Sequence, residues 1–103
     1  MQSNNDITML KITRRAGEAF FIDDICIRIE LINLNVINLL IDDVMSSTKI
    51  GEPLALAENI KLILTKKISG QIGVQIFAQR SVLIAREEIA AFDKNGKLLG
   101  RAS

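Results

Sequence analysis

The chain has no histidine, tryptophan or tyrosine, and only one cysteine and one proline among its 103 residues. Each scarcity excludes something. Without histidine, the usual general base at neutral pH and the commonest metal ligand are both missing. A single cysteine, Cys26, rules out an intramolecular disulfide. Within its apolar run it reads as a small buried residue rather than a redox group. Aromatic content is 4%, so the core has to be made of isoleucine, leucine and valine. The 49% hydrophobic content suits one folded domain over residues 1–103. No apolar run reaches the roughly 20 residues needed to span a bilayer, and the polar start, Met1 to Asp6, lacks the apolar stretch of a secretion signal. A cytoplasmic protein with no membrane partner is expected. Formal net charge is +1, so a nucleic-acid site has to be a local basic patch. The paired acids Asp23-Asp24, Asp42-Asp43 and Glu87-Glu88 have no histidine or glycine-rich phosphate loop to work with. Catalysis is therefore not expected, and no cofactor or metal is called for.

What the chain does have is strand patterning at both ends. Leu10 and Ile12 alternate with Lys11 and Thr13 in a run that closes on Arg14-Arg15. Ala16-Gly17-Glu18 reads as a turn, Ala19 to Ile22 as a short strand, and Asp23-Asp24 as a second turn. Ile25, Ile27, Ile29 and Leu31 alternate with Cys26, Arg28 and Glu30. After Ser69-Gly70, the set Ile72, Val74, Ile76 and Ala78 marks another strand, and Val82 to Arg86 the last. Asn95-Gly96 is a turn signal, and Gly100 to Ser103 and the first six residues read as loose.

The middle has a different period. Leu34, Ile37, Leu40, Ile41 and Val44 fall at helical spacing, and Ser46-Ser47-Thr48 interrupts them. Pro53 suits the first turn of a second helix carrying Leu56, Ala57, Ile60, Ile63 and Leu64, with Lys66 and Lys67 at its C-terminus. The spacing predicts a helical hairpin over Leu34 to Lys67, with an extra strand near Val36 to Ile41 as the alternative. Glu87 to Ala91 reads as the start of a short helix. Lys61, Lys66 and Lys67 read as a solvated polar face and helix end, with an extension of a nucleic-acid surface as the alternative, and no internal repeat is evident.

Two strings carry chemistry. Met-Leu-Lys-Ile-Thr-Arg-Arg-Ala-Gly-Glu spans Met9 to Glu18, and Val-Leu-Ile-Ala-Arg-Glu-Glu-Ile spans Val82 to Ile89. Both place arginine at the end of an apolar strand, where it can reach phosphate while the strand stays packed. The first resembles the Met-Leu-x-Leu-Thr-Arg-Arg-x-Gly-Glu motif of the carbon storage regulator (CsrA/RsmA) family of bacterial RNA-binding proteins. The second resembles that family's closing strand, which ends in the same Arg-Glu-Glu-Ile. The likeness covers residues 9–33 and 70–91; residues 34–69 stand as an insertion where the family has a short loop.

The resemblance implies a mainly β fold with a helical insertion (α+β). It would be a small five-stranded domain forming an intertwined, strand-exchanged homodimer, with the helical hairpin between the third and fourth strands and a short C-terminal helix. It also implies a translational repressor or regulator that recognises GGA in single-stranded loops of mRNA and regulatory small RNA. Carried over by motif, Ile12, Thr13, Arg14 and Arg15 would form one wall of the RNA site, and Val82, Leu83, Ile84, Ala85 and Arg86 the other. Arg86 would be the most important side chain. The alternative is a protein-interaction module or antagonist of the same fold that meets a protein partner through the inserted helices. From the residues alone, Arg14-Arg15 also read as a solvated strand end, and Arg86-Glu87-Glu88 as a local ion-pair cluster.

Overall fold

A computed structural model of the chain describes residues 6–99. Of the ends expected to be loose, 1–6 and 100–103, all but Asp6 lie outside the described residues; the Asp6 carbonyl accepts a hydrogen bond from Arg80 N–H at 3.2 Å. Nine strands form among those described: β1 (Ile7–Arg15), β2 (Ala19–Ile22), β3 (Ile25–Asn33), β4 (Val36–Ile41), β5 (Val44–Lys49), β6 (Leu54–Ala57), β7 (Ile60–Lys66), β8 (Gln71–Gln79) and β9 (Ile84–Arg86). They build two sheets, in the orders β1-β8-β7-β6 and β5-β4-β3-β2-β9, and every pairing is antiparallel. No helix among the described residues is long and apolar enough to cross a membrane.

The alternation in the sequence explains the core. Ile72, Val74, Ile76 and Ala78 of β8 are all buried, as are Ile27 and Ile29 of β3. Leu31 was expected on that same inward face but is exposed, because a β-bulge between Ile29 and Leu31 reverses the alternation. Ile12, Leu62 and Leu64 from one sheet join Phe20, Ile22, Ile37, Leu39 and Ile84 from the other in a single hydrophobic cluster. Cys26, expected to be buried, is half-buried, and desolvation raises its thiol pKa.

The helical insertion is not there. Residues 34–69 contain β4, β5, β6 and β7, so the described residues form nine strands rather than five. The strand alternative over Val36–Ile41 holds with the same bounds. Positions that suggested a helix were a subset of denser apolar runs, which also satisfy a period of two. Burial picks out that second period: Ile37 and Leu39 in β4, and Ile60, Leu62 and Leu64 in β7. Turns then separate the strands at positions of positive φ, at Leu34 (50°), Asp42 (49°) and Asp43 (68°). The short C-terminal helix is likewise reduced to one 3-10 turn, Glu87–Ile89. Ala90 N–H closes it onto the Glu87 carbonyl, and the chain leaves in extended conformation.

The sheets also contain a repeat that the sequence did not show. Moving β1 onto β5 takes Arg15 to Lys49, and moving β8 onto β4 takes Gln71 to Val36. With those shifts all six residue pairs of β4–β5 map onto pairs of β1–β8, from Lys49↔Val36 on Arg15↔Gln71 to Val44↔Ile41 on Leu10↔Ile76. The turns repeat too. Gly17 N–H donates to the Ile29 carbonyl (2.7 Å) and Gly51 N–H to the Leu64 carbonyl (2.8 Å). Their φ values are 92° and 86°, in the left-handed region that glycine enters without a steric penalty. Side-chain identity between the halves is low, which hid the repeat; backbone pairing preserves it.

Candidate nucleic-acid interface

β1 ends one sheet and β9 ends the other, so among the described residues each has one side with no strand partner. Between them lies a cleft of about 180 Å³. Ile12 and Thr13 come from β1, Gly73 and Gln75 from β8, and Arg86 from β9. Lys11 and Lys67 complete a rim of three cations, and no carboxylate among the described residues lines this space. Gly73 makes the approach possible. A Cβ there would sit 2.8 Å from Lys67 Cε and 2.8 Å from Thr65 Oγ1. Two roomier depressions, of about 420 and 400 Å³, carry Asp23 and Asp24 in one and Glu58 in the other, which suits them less to phosphate.

The two sequence strings therefore meet within one chain. Arg86 faces the Ile12–Thr13 part of β1 without a second subunit. The Arg86 side chain forms no hydrogen bond or ion pair with the described residues. Its acidic neighbours are engaged elsewhere. Glu87 binds Arg28 Nη2 at 2.7 Å, and Arg28 Nη1 also donates to the Gly17 carbonyl at 2.7 Å. Glu88 takes a two-pronged hydrogen bond from Arg14, with Nη1 to Oε1 at 2.9 Å and Nη2 to Oε2 at 2.8 Å. The Arg-Glu-Glu sequence thus works as two clamps that leave its arginine free.

Several expected wall residues face elsewhere. Arg14 is only 5% exposed and spans from β1 to the turn after β9; besides Glu88 it donates to the Ala19 carbonyl at 2.9 Å. Arg15 is exposed, but its guanidinium holds the Ser69 carbonyl at 3.0 Å. Ile84 and Ala85 are buried, so only their backbone is available at the sheet edge. Leu83 exchanges hydrogen bonds with Asp23, and Val82 packs against the core. Lys67, which directly follows β7 in extended conformation, joins the cleft lining; a helix ending there would have pointed it to solvent. Nothing in the local sequence marks Arg28, because its partner, Glu87, lies 59 residues away.

The Arg14 hydrogen bonds hold the Glu88 carboxyl down to about 2, from an ordinary value of 4.5. Since the folded value lies below the unfolded one, this contribution to stability is complete above about pH 4.5. It is lost as pH falls through 4.5 towards 2. Urea unfolding across that range should show stability falling more steeply for the wild type than for Glu88→Gln, which has no carboxylate to titrate there. Parallel pH profiles would remove the clamp from the account of acid sensitivity.

No protein-family model, curated protein or solved structure matches the chain.

Proposed function

We propose that this protein is a non-enzymatic, cytoplasmic RNA-binding post-transcriptional regulator. It takes a GGA-bearing single-stranded loop of an mRNA or a regulatory small RNA into the cleft between β1 and β9, and thereby modulates translation initiation and mRNA stability. The observation that carries this reading is the unpaired Arg86 guanidinium opposite the β1 edge, with Lys11 and Lys67 on the same cleft. Three cations converge although the chain as a whole carries only +1. A cleft of about 180 Å³ is small for a free metabolite but sufficient for a splayed base whose strand continues outside. Open strand edges present N–H and C=O groups at fixed spacing, which suits base edges in an unstacked loop. The GGA preference rests on the resemblance of residues 9–18 and 82–89 to the carbon storage regulator family.

The test is binding to a hairpin with GGA in its loop, against the same stem with a scrambled loop. Preference for GGA of at least about ten-fold, or ~1.4 kcal/mol, is expected. If all three cations meet phosphate, log K should fall against log salt with a slope of about −2, from about −0.7 per contact. Equal affinity for both loops would rule out sequence recognition, and a flat salt response would rule out the basic rim.

A further inference from the structure

We infer that the chain is a tandem duplication in which one of two equivalent edge clefts has been kept for binding, so that each chain takes up one RNA strand. This rests on the proposed RNA reading for the ligand, and on the backbone for the count. The strand order already shows the duplication: β1-β8-β7-β6 in one sheet corresponds to β5-β4-β3-β2 in the other. Pairing between β2 and β3 repeats between β6 and β7 as well. Phe20↔Ile27 corresponds to Leu54↔Leu62, and Phe21↔Cys26 to Ala55↔Lys61. An irregularity between Ala55 and Ala57 takes up the one residue by which the spacing differs. Even the buried polar positions coincide: Arg14 on β1 and its counterpart Thr48 on β5 are both enclosed.

A duplication of this kind creates two cleft positions, one beside β1 and one beside β5. Their chemistry differs at each cation. Lys11 on β1 corresponds to Met45 on β5, paired with Leu40 as Lys11 is with Gln75. Lys67 lies opposite Gln71, through Lys67 N–H to the Gln71 carbonyl at 2.8 Å; the residue opposite Val36 in the other half is Asn33. Among the described residues Arg86 has no counterpart: β9 covers the edge of β2, and no described strand covers the edge of β6. That bare edge is also altered. Ala19, whose backbone N–H bonds to Glu87, corresponds to Pro53, which has no N–H to offer. A short strand with a bulge and an adjacent proline is a blunted edge, poorly suited to accept another strand. The second cleft therefore has neither its cations nor its second wall. One chain supplies both halves of the framework and a single complete site.

The experiment is a calorimetric titration of the full chain with a one-site GGA hairpin, alongside light scattering to fix the mass of protein and complex. Saturation at one RNA per single chain is expected. Two RNAs per chain would show that the β5 cleft is active, and one RNA per pair of chains would show that the site needs a second copy; either overturns the inference while leaving RNA binding intact. No binding by the wild type would sink the RNA reading and the inference together. As a second arm, Met45→Glu alters the exposed β5 edge. It should leave affinity and stoichiometry unchanged, and a loss of either counts against the single-cleft assignment.

Discussion

Arg86→Ala is expected to weaken binding of a GGA hairpin by about 10- to 100-fold while leaving the unfolding transition unchanged. The size follows from losing charge-assisted hydrogen bonds worth roughly 1.5–3 kcal/mol, at ~1.4 kcal/mol per factor of ten. The specificity follows from the position. The Arg86 side chain makes no hydrogen bond or ion pair with another described side chain, its charge is only the last of the causes that lower the Glu88 pKa, and its backbone pairing with Phe20 does not depend on its side chain. Arg86→Lys separates two roles. If the guanidinium meets a phosphate only as a charge, lysine should restore most of the affinity and the salt slope. If it reads a base edge through its planar fork, lysine should restore the slope but not the preference for GGA. Fluorescence anisotropy with GGA and scrambled loops, at several salt concentrations, measures both. Unchanged binding by Arg86→Ala would remove the site.

The outer parts of the fold were legible because their alternation was unambiguous. Ile72, Val74, Ile76 and Ala78 could satisfy only one period, and all four are buried. The middle was illegible for the opposite reason. Val36-Ile37-Asn38-Leu39-Leu40-Ile41 is apolar on both faces, so it fits a helix and a strand equally well. Its pairing with β3 and β5 decided the matter, and pairing is a tertiary property. The repeat was hidden by substitution at matching positions, as with Ile12 and Ser46, which share a register but little chemistry. In the site, the strings pointed to Arg86 and to the Ile12–Thr13 segment, which the fold brings together. They did not reveal that Arg14 turns inward, since that depends on Glu88, 74 residues further along.

Arg14→Ala should be the complementary variant, losing stability rather than recognition. Wild-type Arg14 has its guanidinium shielded and four hydrogen bonds to satisfy it: to the Thr13 and Ala19 carbonyls and to both Glu88 oxygens. Glu88 is itself solvated, so water can replace much of what the ion pair provides there. The larger loss lies on the enclosed side. Alanine would leave the Ala19 carbonyl without this donor and open a space where the guanidinium packs. An unsatisfied buried acceptor costs roughly 1–3 kcal/mol, so a loss of about 2 kcal/mol is expected. For a domain of this size that corresponds to a fall in Tm of roughly 10 °C. Arg14→Met, which fills the space without the donors, should recover part of the packing and none of the acid sensitivity contributed by Glu88. Binding measured well below the transition should change far less than in Arg86→Ala, because Arg14 does not line the cleft. If Arg14→Ala instead lost affinity with its unfolding midpoint unmoved, the inward strap would be the wrong role, and Arg14 would belong with the RNA-contacting wall.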